Sequence, residues 1–259
     1  MGRVQKISAD ARSLYISIGN VSMSLRFFEE RLLRSAQARY RDFSGSPCDG
    51  IRVTLNDPAG FSAASPRFEY RLRGSHLRFS KRRAEFRNVP HEYALDSLIR
   101  ILLTVALLPK DGFLLHAASI VRNGKAYVFV GRSGAGKSTV ASLSPVGTVL
   151  TDEISLLRRT ERGWRAYGTP FWGEFRAGGH NASYPVAGIY SLAQAAENRL
   201  EASQPKDLLR AMLPCVLFFS SDTGANRALL DVLTSFSQTV AGFRLHFKKE
   251  ASFWEVVAR

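Results

Sequence analysis

The sequence predicts an α/β protein, a sheet flanked by helices, preceded by a small α+β unit. Three observations carry this. An apolar run, Ala126–Val130, leads into the glycine-rich segment Gly131–Ser138 and then into a helix-compatible stretch. A helical pattern from His91 to Leu108 follows the punctuating Pro90. Ahead of it lie short alternating runs around one helical segment. The division is placed there, with residues 1–90 as the small unit and 91–259 as the larger domain.

The elements follow in order. Residues 13–27 alternate apolar and polar around Gly19-Asn20, the signature of a hairpin. Glu29–Tyr40 has helical spacing through Leu32, Leu33, Ala36 and Tyr40. Ile51–Leu55 reads as a strand. Phe68–Arg73 and His76–Phe79 flank Gly74-Ser75 as a second hairpin. The helix 91–108 shows an apolar face through Leu95, Leu98, Leu102 and Val105, and Pro109–Gly112 forms a turn. Phe113–Val121 and Lys125–Val130 are strands joined at Asn123-Gly124, a strong two-residue turn signal. A short helix begins near Lys137, and the strands Thr148–Leu150, Ser155–Arg159, Trp164–Tyr167 and Ala187–Leu192 follow. Lys206–Leu213 and Ala225–Ser237 read as helices, Phe243–Phe247 as a late strand, and Trp254 as a pin for the C-terminal segment.

Composition narrows the class. The chain has 259 residues and 45% hydrophobic content, enough for a sizeable core. The polar start, Met1–Asp10, lacks the apolar core of an export signal. Leu98–Leu108 is interrupted by Arg100 and ended by Pro109, too short for a membrane span of about 20 residues, so it reads as a buried helix. Cys48 and Cys215 lie far apart without metal-ligand neighbours. A reduced, cytoplasmic chain with no membrane partner is the expectation. The formal charge is +14, and residues 1–90, with 17 Lys/Arg against 8 Asp/Glu, supply +9 of it. Such a balance draws anionic partners: nucleic acid, an acidic peptide or a triphosphate.

Gly131-Arg132-Ser133-Gly134-Ala135-Gly136-Lys137-Ser138 satisfies G-x-x-x-x-G-K-[ST], the Walker A or P-loop pattern, in the strand-then-helix context it requires. Glycines let the backbone curl so that successive N–H groups point at phosphate oxygens. Lys137 places a compact charge at the β- and γ-phosphates, and Ser138 offers a hydroxyl to Mg²⁺. Gly131, Ser133, Gly134, Ala135, Gly136, Lys137, Ser138 and Thr139 form the candidate nucleotide-binding set. A triphosphate site also needs carboxylates. Asp152 and Glu153, at the end of an apolar strand fifteen residues after Lys137, are the nearest. One would hold Mg²⁺ while the other takes the proton of an acceptor hydroxyl, with Asp152 favoured as the base. Transport ATPases reach such a pair many tens of residues later. The chain also lacks an LSGGQ-like signature and an Asn-Lys-x-Asp guanine reader, and its one D-x-x-G match, Asp57–Gly60, precedes the loop.

His116, Gly124, Ala126–Val130, Gly131–Ser138 and Asp152-Glu153 together resemble the catalytic core of the HPr kinase/phosphorylase family, which phosphoenolpyruvate carboxykinase shares. The likeness covers mainly residues 113–157, and His116 lies fifteen residues before Gly131. The resemblance implies ATP and Mg²⁺ as cofactors and transfer of the γ-phosphoryl group to a serine of a protein or peptide. It places Lys137 and Ser138 at the phosphates and metal, Asp152 as base, Glu153 in place of a second aspartate, and His116 near the transferred group. The family's acceptor-binding signature is loosely echoed by Glu174-Phe175-Arg176-Ala177-Gly178.

The turn-rich stretch Gly168–Glu174 is a candidate contact for nucleotide or acceptor, and Arg199 a candidate charge clamp. A small-molecule phosphotransferase and a nucleotide-sensing binding module are the competing readings. Nucleic acid is disfavoured, because no helix-turn-helix or aromatic RNA-binding signature is present, and a homo-oligomer is compatible with the sequence.

Overall fold

The computed structural model describes residues 12–60, 66–145, 148–173 and 179–257. It is a mixed α/β protein with two large sheets flanked by helices. The chain divides into two compact units, Met1–Leu102 and Leu103–Arg259.

In the first unit, β1 (Ser13–Ile18) and β2 (Val21–Phe27) form the expected hairpin. Its turn residues Gly19 and Asn20 have φ of 58° and 60°, the left-handed pair a two-residue turn demands. Helix α1 (Glu30–Arg39) and β3 (Ile51–Leu55) also stand where the pattern puts them. The second hairpin joins β4 (Phe68–Leu72) to β5 (Ser75–Ser80). Its turn is Arg73-Gly74, one residue earlier than expected, with φ of 47° and 84°. Ser75 belongs to the strand, paired with Leu72, and its hydroxyl donates to the Asn88 carbonyl at 2.7 Å.

A sixth strand, β6 (Arg83–Arg87), escaped the sequence reading: only Ala84 and Phe86 are apolar in a run of charges. The sheet order is β1-β2-β3-β6-β5-β4, with β3 parallel to both β2 and β6. Met23, Leu25, Val53, Leu55, Ala84 and Phe86 are buried on one face, beneath Leu32, Leu33 and Ala36 of α1. Helix α2 (Glu92–Ala106) brings Asp96 to the end of α1, where the buried carboxylate accepts hydrogen bonds from Arg39 and from the Tyr40 hydroxyl. Burial pushes the Asp96 carboxyl up, against the pull of Arg39 and Tyr40.

The second unit is built on β7 (Gly112–Arg122) and β8 (Lys125–Val130), an antiparallel pair closed by Asn123-Gly124 at φ of 50° and 70°. Then come α3 (Lys137–Ser142), β9 (Val149–Thr151), β10 (Ile154–Thr160), β11 (Gly163–Tyr167) and β12 (Ser183–Gln194). The chain ends with β13 (Arg199–Ser203), α4 (Pro205–Met212), β14 (Val216–Leu217), α5 (Thr223–Thr239), β15 (Gly242–Phe247) and α6 (Trp254–Val257). The short, half-buried β13 and β14 were not legible as strands. The sheet order is β11-β10-β7-β8-β12-β15-β13, with β9 and β14 also paired to β7. Because β11 also pairs with the start of β12, five strands form a closed circuit.

Period-two alternation splits β8 between two cores. Ala126, Val128 and Val130 join Leu208 and Met212 of α4 and Leu229, Leu233 and Phe236 of α5. Tyr127 and Phe129 join Val140 and Ala141 of α3, Phe247 and Trp254. Trp254 packs edge-on against Tyr127 and Phe129 at 5.4 and 5.9 Å, so it does pin the C-terminal segment. Among the described residues, no helix is long and apolar enough to cross a membrane.

Candidate functional site

Strand β7 organises the site. From Phe113 to Ile120 every residue is buried except His116. Its neighbour Ala117 is flanked on both sides. It pairs with Val130, the last residue of β8 before the glycine loop. Its N–H donates to the Glu153 carbonyl at 3.0 Å. Adjacent strands lie about 4.8 Å apart, so the start of the loop and the acidic pair sit about 10 Å apart in backbone terms, at one level of β7. His116, paired with Ile154, occupies that same level. It lies on the face of β7 that carries Ile120, against which Val140 and Ala141 of α3 pack.

The loop has the backbone its glycines allow. Gly134 and Gly136 have φ of 78° and 115°, and a Cβ on Gly136 would meet the Phe247 ring at 2.9 Å. A Cβ on Gly131 would meet that of Ala135 at 2.7 Å. The Ala135 N–H donates to the Arg132 carbonyl at 3.1 Å, closing the curl, and Gln194 Nε2 donates to the Gly134 carbonyl at 2.8 Å. Ser133, Gly134 and Ser138 are exposed, and Thr139 is half-buried in the first turn of α3. Lys137 is buried and donates to the carbonyls of Gly131 and Arg132 at 2.8 and 3.3 Å. Burial lowers its pKa, and the nearby Cys215 works in the opposite direction. The buried Cys215 thiol lies 3.6 Å from the Gly131 carbonyl, beneath the loop.

Asp152 and Glu153 form the bend between β9 and β10, two strands that both pair with β7. Asp152 is buried and Glu153 half-buried. Thr151 fixes the bend by donating its hydroxyl to the Ile154 carbonyl at 3.0 Å. The Thr169 hydroxyl donates to the same carbonyl at 2.7 Å, which anchors the turn-rich stretch beside the pair. From that stretch the Gly173 N–H donates to Asp152 Oδ1 at 3.0 Å. A Cβ on Gly173 would lie 3.3 Å from both Asp152 Oδ2 and Glu153 Cβ, so the backbone approaches closely there.

One candidate is placed elsewhere. Arg199 lies on the edge strand β13, where it pairs with Glu201 and reaches His246 Nε2 at 3.2 Å. Glu174–Gly178 lies outside the described residues. Gly173 falls within Gly168–Glu174, the stretch the sequence offers as a contact for nucleotide or acceptor, and here its N–H meets Asp152. Sequence reading missed Gln194 and Cys215, a side-chain amide and a thiol brought in from other parts of the chain, which no local pattern marks.

Chemically, the arrangement offers a curl of amide donors and an ammonium group for a polyphosphate, with two carboxylates close by. Among the described residues, no group of three or more His, Cys, Asp or Glu could hold a metal unaided. Ser138, Asp152 and Glu153 offer hard oxygens, which suits a Mg²⁺ ion that arrives on phosphate and takes only one or two protein carboxylates. The family model described as SynChlorMet cassette protein ScmC matches residues 92–259. The chain belongs to that family. No curated protein matches it.

Proposed function

We propose that this chain is an ATP-dependent kinase of the HPr kinase-like P-loop type, moving the γ-phosphoryl group of ATP to a hydroxyl, a serine of a protein or peptide. The observation that carries the reading is the double flanking of Ala117 by Val130 and Glu153, which draws the loop, His116 and the acidic pair to one level of β7. The antiparallel strand beside the strand–loop–helix unit also supports a core of the HPr kinase and carboxykinase type.

In this reading the loop amides of Gly131–Ser138 other than that of Ala135, and the third N–H of Lys137, hold the phosphates. Ser138 with Asp152 or Glu153 would hold Mg²⁺, which neutralises phosphate charge when bound. Asp152, oriented by the Gly173 N–H, takes the proton of the acceptor hydroxyl. The acceptor oxygen bonds to the γ-phosphorus as the bond to the β,γ-bridging oxygen breaks, releasing ADP. His116, exposed on β7 and paired with Ile154, would donate to the transferred group.

The test is incubation with γ-labelled ATP, Mg²⁺ and lysate from the protein's own source. Wild-type protein should label a hydroxyl-bearing polypeptide. Asp152→Asn should bind ATP yet label little. Equal labelling by Asp152→Asn would remove Asp152 from the chemistry.

A further inference from the structure

We infer that the open face of the first unit's sheet is a docking site for an acidic polypeptide segment. The face opposite α1 carries Arg26 on β2, Arg52 on β3, Arg83 on β6 and Arg78 on β5. Two clefts of about 430 and 330 Å³ lie on it and share Arg52, Arg83 and Glu85. Among the described residues their lining holds six cations, Arg26, Arg52, Arg78, Lys81, Arg82 and Arg83, against the single carboxylate of Glu85. Arg78 and Arg82 are already engaged with Glu69 and Asp49, at 3.4 and 2.7 Å.

Arg52 and Arg83 are different. They stand directly opposite each other across the β3–β6 ladder, both exposed, and neither has an ion-pair partner among the described residues. Like charges placed directly across a ladder oppose strand pairing. A carboxylate from outside would relieve that repulsion, and arginine forks match carboxylates in bidentate fashion.

The spacing suits an extended chain. Four neighbouring strands span about 14 Å, and an extended peptide rises about 3.3 Å per residue with like-facing side chains every second position. A segment of about five residues with acids at alternate positions therefore matches the arginine spread. A nucleic acid fits less well. Single-strand binding leans on aromatic stacking platforms, and among the described residues Phe79 is the sole aromatic in the two linings, with Glu85 facing any phosphate chain.

The inference stands apart from the nucleotide reading, and its test separates the two. A fluorescein-labelled ten-residue peptide of alternating Glu and Gly is titrated into the full-length chain by anisotropy. Parallel titrations use a Lys–Gly peptide and a single-stranded oligonucleotide of equal charge. The acidic peptide should bind, and added salt should weaken it. Arg52→Ser/Arg83→Ser should weaken it at least tenfold while melting no lower than wild type, since the opposed charges are gone. Arg26→Ser gives a second reading on one exposed residue, with a smaller loss expected. Lys137→Ala should bind the peptide as wild type does. Unchanged affinity in the Arg52/Arg83 variant overturns the inference. Tighter binding of the oligonucleotide would assign the face to nucleic acid instead, and loss of peptide binding in Lys137→Ala would place the peptide at the glycine loop.

Discussion

At the scale of single residues, the proposed nucleotide site rests on Gly136 and Lys137. Gly136→Ala places a methyl group at φ 115° against the fully buried Phe247 ring. Strain and overpacking together should cost about 2–5 kcal/mol, read as a lower urea midpoint with loss of triphosphate binding. Lys137→Ala removes a charged donor worth about 2–3 kcal/mol, so affinity for ATP should fall roughly 30- to 150-fold. Titration calorimetry measures it. The lysine also sets a pH dependence. Burial lowers its pKa from the ordinary 10.5. Between the lowered value and 10.5, the unfolded chain keeps a proton that the folded one has shed, so this lysine's contribution to stability rises with pH. ATP affinity should fall across the same window as the cation is lost. Lys137→Met should show neither trend.

At the scale of elements, the joint between α1 and α2 is the sharpest case. Asp96 accepts from both Arg39 and Tyr40 in a buried setting. Asp96→Ala leaves the buried guanidinium without its carboxylate and should destabilise the first unit by about 3–5 kcal/mol, seen in urea denaturation. Asp96 was invisible in the sequence as anything but a polar residue in an apolar helix, since its partners lie more than fifty positions away. Helices and hairpins with strong periodicity, such as α1, α2 and the β7–β8 pair, were legible because burial imposes a period on the chain. Strand β6 was not, because its outward positions are filled with arginine and glutamate. Arginine across an open sheet face and arginine in a loop look alike until the register is known.

At the scale of the whole molecule, the glycine loop and the acidic pair could each be named from local pattern, and their nearness could not. Nearness comes from β7, which takes β8 on one side and the β9–β10 bend on the other. The groups that fix their orientation, Gly173 on Asp152 and Gln194 on Gly134, come from elsewhere in the chain. No local spacing rule reaches that far.

The claim that the loop and the acids form one centre is tested most directly by ATP affinity with and without Mg²⁺, in wild type and in Asp152→Asn/Glu153→Gln. Mg²⁺ should tighten ATP binding in wild type and have little effect in the variant, while metal-free ATP binds both alike. An equal gain from Mg²⁺ in both proteins would contradict it, because the carboxylates would then have no part in the site where the phosphates lie.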